Sequence, residues 1–248
     1  MAIISTEAIV LRSIDHRETS KIAFFFTRKN GKVTGVLKGI RKDPRKFGSG
    51  LEKFSVNDIV YYEYRNSDIH LVSACDMKEF FGGIRQESRR ITAADYGAEL
   101  VNRIMPAEEP NPGVFTLLLD YLRALDRERS GHDIDRLVHM FQIKFLALSG
   151  FRPHIDSCVI CGKGIGDRAR FSLRRGGLVC GPCQGRDTAL LPVSKGAIAT
   201  LLYVEKEPWS GCLKLRMPPS IRMEMRRILN SFLLFHLEKN IRSAKYLF

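Results

Sequence analysis

Four cysteines in two close pairs are the most specific chemical feature of this 248-residue sequence. Cys158 and Cys161 form one C-x2-C pair, and Cys180 and Cys183 form a second. Two thiolates three residues apart can share one small ion, and a second such pair completes the tetrahedral ligand set that zinc prefers. The spacing therefore predicts one Zn²⁺ ion. A site with four protein ligands leaves no open position for water or substrate, so the ion is predicted to be structural.

Two other readings of these cysteines are a redox-active pair and four unrelated buried thiols. No strand–helix–strand pattern of the thioredoxin type surrounds either pair, which argues against the redox reading. His154 lies four residues before the first pair and could replace one thiolate as a ligand. Cys75 and Cys212 are predicted to be ordinary buried thiols.

A basic stretch at residues 28–46 is the second chemical feature, with eight Lys/Arg and one acid. Cations that leave a sheet together are typical of contacts to the phosphates of a nucleic-acid backbone. A solvated surface loop is the alternative. The predicted phosphate contacts are Arg28, Lys29, Lys32, Lys38, Arg41, Lys42, Arg45 and Lys46.

The net charge of +13 points to an anionic partner, because charge of this size bears on partners rather than on fold. Nucleic acid is the expected partner. A membrane surface is not, since no basic amphipathic helix with exposed aromatic residues and no apolar run of about 18 residues stands out. The first residues lack the features of a secretion signal, so a cytoplasmic location is predicted.

The motifs that mark common catalytic sites are missing from the sequence. It contains no P-loop, no Gly-x-Ser-x-Gly and no His-Glu-x-x-His pattern. The histidines are scattered, and each is better explained as a surface or core residue. The chain is therefore predicted not to be an enzyme. The six histidines are His16, His70, His132, His139, His154 and His236.

The elements that position these residues begin with a predicted five-stranded barrel. Asn30-Gly31 predicts a hairpin with a type I′ turn, in which both central residues need positive φ. Such a barrel fits an OB-fold, and an SH3-like barrel also fits. Strand alternation assigns most of the nearby aromatic side chains to the core, and an exposed one could stack a base. The predicted strands cover residues 8–11, 21–27, 32–38, 59–64 and 69–74.

Helical periodicity follows from residue 80 onward. Apolar stripes predict helices over 91–104, 114–125 and 134–148, and Ser194 and Ser220 are predicted to cap two more. The predicted fold class is a multidomain α+β protein with an N-terminal five-stranded OB-fold barrel and a helical bundle interrupted by a four-Cys zinc finger. The predicted domains are an OB-fold at 1–79, a helical domain at 80–154 and 187–248, and a zinc-finger insertion at 155–186.

A second set of cations is spread over the C-terminal part. It is predicted to be a solvated helix face, although it could extend a DNA path or receive an acidic tail. Its members are Lys214, Arg216, Arg222, Arg226, Arg227, Lys239, Arg242 and Lys245.

Several segments, in order along nearly the whole chain, resemble the RecO family of bacterial recombination mediator and DNA repair proteins. They are residues 7–12, 18–22 and 26–32, the run Gly39-Ile40-Arg41-Lys42, residues 149–153 leading into the first cysteine pair, and residues 236–247. The resemblance implies an OB-fold followed by a helical domain that a zinc finger interrupts. The family's loop after the third strand commonly carries more serine than Lys42-Asp43-Pro44-Arg45-Lys46 does here.

The resemblance also implies a function in DNA recombination after DNA damage, in the RecF pathway. Such proteins bind single- and double-stranded DNA and anneal complementary strands. They act with RecR, and often with RecF, to let RecA displace the single-strand-binding protein SSB, whose acidic tail docks on the helical domain in some members. A place at the nucleoid follows. The alternatives are an RNA-binding or ribosome-associated zinc protein, a zinc-dependent enzyme and a sequence-specific transcription regulator.

Overall fold

A computed structural model describes residues 2–43, 47, 51–64, 66–128, 133–166, 168–237 and 241–247. They form two compact units. Unit 1 comprises Met1–Gly131 with Ser243–Leu247, and unit 2 comprises His132–Arg242. The predicted domains, with bounds at 1–79, 80–154 with 187–248, and 155–186, stay predictions beside this division.

Unit 1 contains a closed barrel of five strands. Their order around the barrel is β1-β2-β3-β5-β4, and every pair is antiparallel except β3 with β5. A closed Greek-key barrel of this order is an OB-fold, which confirms the predicted fold class. The strands are β1 (Ala2–His16), β2 (Ser20–Thr27), β3 (Gly31–Leu37), β4 (Val56–Glu63) and β5 (His70–Glu79).

The interior of the barrel is filled by apolar side chains that alternate along the strands. Val10, Phe25 and Val33 come from neighbouring strands and are fully or almost fully buried. The assignment of most aromatic residues to the core was correct. Phe24, Tyr62 and Tyr64 keep part of their surface in solvent, whereas the buried aromatic residues of this region are Phe25, Phe26, Phe47, Phe54 and Tyr61.

The β2–β3 hairpin forms as predicted, but its turn is of a different type. Thr27 pairs with Gly31, so the loop has three residues, and it is Gly31 that has positive φ, at 64°. The prediction of a two-residue type I′ turn was wrong because one left-handed glycine closes a three-residue loop. The Thr27 hydroxyl accepts a bond from the Asn30 N–H (3.0 Å) and donates to the Gly31 carbonyl (2.9 Å), which fixes this geometry.

The helices agree with the predicted stripes. α1 and α2 pack on the barrel in unit 1, where the rings of Phe26 and Phe115 lie 6.2 Å apart. Pro112 begins α2, and the Asn111 side chain caps it by accepting from the Val114 N–H at 3.0 Å. The helices are α1 (Ser88–Ile104), α2 (Pro112–Arg127), α3 (Ile134–Leu148), α4 (Lys195–Lys206), α5 (Trp209–Cys212), α6 (Pro219–Leu237) and α7 (Ala244–Leu247).

Unit 2 combines a small helical bundle of α3, α4 and α6 with a three-stranded sheet of order β7-β6-β8. The strands are β6 (Arg170–Ser172), β7 (Gly177–Val179) and β8 (Leu190–Pro192). Phe171 joins the sheet to α6 through an edge-to-face contact with Phe232, with ring centroids 6.0 Å apart. Ser194 caps α4 as predicted, its hydroxyl accepting from the Ala197 N–H at 3.1 Å. The Ser220 cap was wrong, because α6 begins one residue earlier.

Candidate nucleic-acid interface and metal centre

Two of the predicted phosphate contacts, Arg28 and Lys32, hold the β2–β3 hairpin in place within unit 1. The Arg28 guanidinium pairs with Glu7, at 2.7 Å between Nη2 and Oε2, and lies over the Phe115 ring at 4.3 Å. The Lys32 ammonium donates to the carbonyl of Asn102 at 2.7 Å. Both cations therefore already have partners inside the protein.

Four other predicted contacts have exposed side chains: Lys29, Lys38, Arg41 and Lys42. Lys29 lies in the β2–β3 turn, and the other three follow β3. Arg45 and Lys46 lie outside the described residues. Of the six predicted contacts that the structure describes, four are thus exposed and two have partners within unit 1.

The turn after β3 is anchored by Ile40, which is 3% exposed and belongs to the barrel core. Gly39 precedes it with φ of 81°, a conformation that favours glycine. The N–H groups of Lys42 and Asp43 both donate to the Gly39 carbonyl at 3.0 Å. The buried Ile40 and the hydrogen-bonded turn hold Arg41 and Lys42 at the surface of the barrel.

Arg41 connects this turn to the loop between β1 and β2. Its N–H donates to the Thr19 carbonyl at 2.9 Å, and its guanidinium lies 3.7 Å from the Asp15 carboxylate and 3.4 Å from the Arg17 carbonyl. The β1–β2 loop is a usual oligonucleotide-binding loop of OB-folds. The cations after β3 therefore lie beside a usual OB-fold binding loop, to which the exposed Arg17 adds a further cation.

The outer face of β1, β2 and β3 carries a stacked pair that sequence reasoning did not identify as a site. The Arg12 guanidinium lies 3.7 Å above the Phe24 ring, and Thr34 continues the same cross-strand row. These residues line a cleft of about 380 Å³ together with Lys32 and Asn102. A flat cation on an aromatic ring is a surface on which a nucleic-acid base can stack.

The pairing of Arg12 with Phe24 depends on a β-bulge. The register between β1 and β2 shifts between Val10 and Arg12, so simple alternation gives the wrong partner. The only sequence signal was the position of Arg12 near the end of an apolar run. That signal does not specify the bulge.

The four predicted zinc ligands come together at one end of the β6–β7 hairpin. The sulfur atoms of Cys158, Cys161, Cys180 and Cys183 all lie within 4.8 Å of one another. Cys161 is exposed and the other three are buried, with Val179 and its neighbours packed around them. The structure thus forms a compact cluster of four thiols.

Each pair sits in a tight turn that aims both sulfurs inward. The Cys158 carbonyl accepts from the N–H of Gly162, whose φ is 72°, at 2.8 Å. The Cys180 carbonyl accepts from the Cys183 N–H at 3.0 Å. In each turn, the sulfurs of two cysteines three residues apart come close enough to bind one shared ion.

The electrostatics of the cluster depend on backbone amides and on the thiols themselves. Burial raises the pKa of the Cys158 thiol, but amide N–H groups, led by that of Cys180 at 3.4 Å from the sulfur, outweigh burial and lower it to about 6. A hydrogen bond with Cys180, followed by burial, raises the pKa of Cys183 to about 12. One thiolate forms readily at Cys158, whereas hydrogen bonding within the cluster and burial keep the Cys183 thiol protonated.

The spacing of the sulfurs fits zinc. A tetrahedral ion with Zn–S bonds of about 2.3 Å has sulfur atoms about 3.8 Å apart. The Cys161 and Cys180 sulfurs are 3.7 Å apart. Four soft thiolates also match the preference of zinc over magnesium or calcium.

The remaining candidates for metal ligands take no part in the cluster. The His154 imidazole contacts the Ser157 hydroxyl, with 2.7 Å between Nε2 and Oγ. Cys75 and Cys212 are buried, as predicted, and burial raises the pKa of Cys75 to about 12. Among the described residues, this four-cysteine cluster is the one group arranged to hold a metal ion.

The second cationic set is divided between the two units. Lys214, Arg216, Arg226 and Arg227 are exposed in unit 2, and the Arg227 guanidinium donates to the Pro192 carbonyl at 2.7 Å. Lys245 belongs to unit 1, while Lys239 lies outside the described residues. No described helix is long and apolar enough to cross a membrane.

Comparison with known sequences assigns almost the whole chain to two family models. Residues 1–81 match the model described as "Recombination protein O N terminal". Residues 85–245 match the model described as "Recombination protein O C terminal". The two matches meet between the barrel and α1.

Curated relatives align with the chain along nearly its full length. A protein called "DNA repair protein RecO" from Anaeromyxobacter sp. (strain Fw109-5) is 34% identical over 96% of this chain and 93% of its own length. The protein of that name from Myxococcus xanthus (strain DK1622) is 32% identical over 97% and 95%. The one from Alkaliphilus metalliredigens (strain QYMF) is 28% identical over 96% and 95%.

Proposed function

The chain belongs to the RecO family of DNA repair proteins, and from this premise we propose that it is a DNA-binding recombination mediator rather than an enzyme. It binds single- and double-stranded DNA and anneals complementary strands. With RecR, and with RecF as a further partner in the RecF pathway, it helps RecA displace SSB from single strands. Its place of action is then the nucleoid.

The observation that carries the DNA-binding part of this proposal is the turn after β3. Lys38, Arg41 and Lys42 are exposed there, beside Arg17 of the β1–β2 loop. Cations of this kind neutralise phosphates and release counterions without reading sequence. Arg45 and Lys46, which follow Asp43 and Pro44 in the chain, complete the predicted set.

The other predicted contacts differ in what they can contribute. Lys29 is exposed and can reach a phosphate from the β2–β3 turn. Arg28 and Lys32 hold contacts within unit 1, so their share in DNA binding is smaller. The Arg12–Phe24 pair supports a preference for single strands at the barrel, because only unpaired bases can stack on it.

We also propose that Cys158, Cys161, Cys180 and Cys183 hold one structural Zn²⁺ ion. Bound there, the ion would cross-link two turns of a module too small to have a large core of its own. Four thiolates would leave it no position for water, so the chemistry it supplies is structural. The cysteine spacing and the 3.7 Å between the Cys161 and Cys180 sulfurs support this assignment.

Annealing follows from the charge of the molecule. Two single strands repel each other, and a carrier with cations on several faces lowers that repulsion while the strands pair. The acidic SSB tail is proposed as a further ligand of unit 2. The exposed Arg216, Arg226 and Arg227 supply the charge that such a tail requires.

The test of the proposed function is annealing of SSB-coated complementary strands at several salt concentrations, with and without RecR. Wild-type protein is expected to accelerate annealing, and the Arg41→Gln/Lys42→Gln variant to do so less. The plot of log K against log salt for single strands has a negative slope. Two lost contacts should reduce the magnitude of that slope by about 1.4. A matched control, Lys206→Gln/Lys214→Gln, removes the same charge from exposed positions of unit 2 that are outside the proposed tail site.

Two results would contradict the proposal. Annealing that is no faster with the wild-type protein than with SSB alone would remove the mediator function. Equal salt slopes for the wild type and the Arg41→Gln/Lys42→Gln variant would remove the turn after β3 from the interface. Competition between DNA and RNA strands of one sequence separates a DNA mediator from an RNA-binding protein.

A further inference from the structure

The cysteine module carries an arginine-rich surface that the proposed function does not use. Residues 158–187 contain six Lys/Arg and two Asp. Arg168, Arg170, Arg174 and Arg186 are exposed, and among the described residues none of these four has an ion-pair partner. We call these four residues the arginine surface.

Asp187, the acid of the module that the structure describes, does not neutralise this surface. Asp187 accepts from the Ser172 hydroxyl at 2.5 Å and pairs with Arg175, 3.5 Å from Nε to Oδ2. Its side chain is fully buried. Four thiolates around a divalent ion would add two negative charges, which still leaves the module net positive.

The scaffold under the arginine surface fixes where its members lie. The Gln184 side chain donates to the Arg168 carbonyl, and Asp187 binds Ser172 at the other end of β6. The short 3-10 helix Gly181–Arg186 is therefore fixed against β6 on both sides, through Gln184 within it and Asp187 directly after it. Phe171 packs on α6, so the sheet itself is held in place.

The chemistry of the surface points to a phosphate backbone rather than to bases or a peptide. Phe171 is the one aromatic residue in the sequence from 158 to 192, and it is fully buried, so nothing here can stack a base. None of the described residues in this stretch exposes a large apolar side chain, so an acidic and apolar peptide finds no apolar anchor point here. Arginines alone favour the ligand with the densest phosphates, which is a duplex with one charge per about 1.7 Å.

We propose that the arginine surface of the cysteine module is a second DNA site, which binds the backbone of duplex DNA without regard to sequence. This inference rests on the proposed DNA binding and adds a division of labour to it. The barrel, with Arg12 over Phe24, takes single strands, and the module takes the paired product. A chain with both sites can hold a strand before and after it has annealed.

The experiment uses full-length, zinc-loaded protein and the triple variant Arg170→Gln/Arg174→Gln/Arg186→Gln. The control, Lys206→Gln/Lys214→Gln/Lys245→Gln, loses the same charge at exposed positions elsewhere. Affinity for a blunt-ended duplex and for a single strand is measured over a salt series, and zinc content is measured to show that the module is folded. The triple variant should bind the duplex at least about tenfold more weakly than wild type at 0.1 M salt. The slope of its log K against log salt should be smaller in magnitude by about 2 to 3. Its affinity for the single strand should change less than about threefold.

Several outcomes would overturn the inference. One is a triple variant whose slope of log K against log salt for the duplex equals that of wild type. Others are an equal loss of duplex affinity in the control variant, or an equal loss of single-strand affinity in the triple variant. A last one is a triple variant that loses affinity only for an acidic peptide probe. Each of these leaves the barrel as a DNA site if wild-type protein still binds single strands. Wild-type protein that binds neither form of DNA would instead overturn the proposed function.

Discussion

Cys161 differs from the other members of the cysteine cluster because its side chain is exposed. Replacing it removes a ligand but almost no packing. A loss of stability in such a variant would therefore come from coordination. Cys212 offers the opposite case, since it is fully buried and lies outside the cluster.

The first prediction compares these two cysteines. Cys161→Ser should reduce bound zinc from about one ion per chain to near none, because a hydroxyl is a poor substitute for a thiolate. It should also cost unit 2 several kcal/mol, since structural zinc contributes on the order of 10–16 kcal/mol of apparent binding energy. Metal analysis and thermal unfolding are the measurements. Cys212→Ser should keep its zinc, and a fully loaded Cys161→Ser protein would disprove the four-thiolate site.

Cationic side chains of the same charge have different functions in this chain. Arg28 pairs with Glu7, 21 residues before it, and Lys32 binds the carbonyl of Asn102, 70 residues after it. The cysteine site could be read from the sequence because its ligands form local pairs. The partners of Arg28 and Lys32 could not, because only the closed barrel and its contact with α1 and α2 bring them close.

The second prediction separates stability from DNA binding at two arginines. Arg28→Gln loses a half-exposed ion pair and the contact with the Phe115 ring, which should cost about 1 kcal/mol of unfolding free energy. Arg41→Gln should change the free energy of unfolding by less than about 0.5 kcal/mol. It should reduce the magnitude of the slope of log K against log salt for single strands by about 0.7. Urea unfolding and DNA titration measure the two effects. A loss of stability in Arg41→Gln together with weaker salt dependence in Arg28→Gln would contradict the proposed interface.

At the scale of elements, Gly31 shows why the β2–β3 turn needs glycine. Its φ is 64°, and an added Cβ would lie 2.2 Å from the carbonyl oxygen of Glu109. Gly39 has a φ of 81° but nothing within 4 Å of an added Cβ. The two glycines therefore separate the cost of backbone strain from the cost of a close backbone approach.

The third prediction uses this contrast. Gly39→Ala should cost about 1 kcal/mol from its left-handed backbone alone. Gly31→Ala should cost that amount and a further 1–3 kcal/mol, because the Glu109 backbone must move. Chemical denaturation of both variants gives the difference. Equal free energies of unfolding would show that the Gly31 turn can adjust without cost.

The strands and helices could be predicted from periodicity because burial on one face imposes it. The details of their ends could not be predicted in the same way. The shift of register between Val10 and Arg12 leaves no periodic signal, and Ser220 has the chemistry of a cap although Pro219 already begins α6. Turn type and helix start depend on backbone geometry that several sequences satisfy equally well.

At the scale of the whole molecule, His139 makes stability depend on pH. It lies in α3 at 1% exposure, and burial lowers its pKa to about 4 against a smaller opposing effect of Asp135. Above pH 6.5 the imidazole is neutral in the folded and unfolded chains alike. As pH falls from 6.5 to 4, the unfolded chain gains a proton that the folded chain does not, so stability falls.

The fourth prediction follows from that sign. Between pH 7 and pH 4, this one group should remove about 3 kcal/mol from the free energy of unfolding. His139→Gln lacks the ionisable group. The difference in free energy of unfolding between wild type and this variant should therefore be about 3 kcal/mol smaller at pH 4 than at pH 7. Denaturation at several pH values in zinc-containing buffer measures it. Parallel curves for the two proteins would show that the imidazole does not stay neutral.

The return of Ser243–Leu247 to unit 1 has a consequence for synthesis. Ser243 donates through both its N–H and its hydroxyl to Glu99, 144 residues earlier, and Leu247 is buried. A ribosome makes residues 132–242 before it makes this segment. Unit 1 therefore cannot complete its native contacts while unit 2 is being synthesised. Its last segment packs only after the residues of unit 2 have left the ribosome exit tunnel.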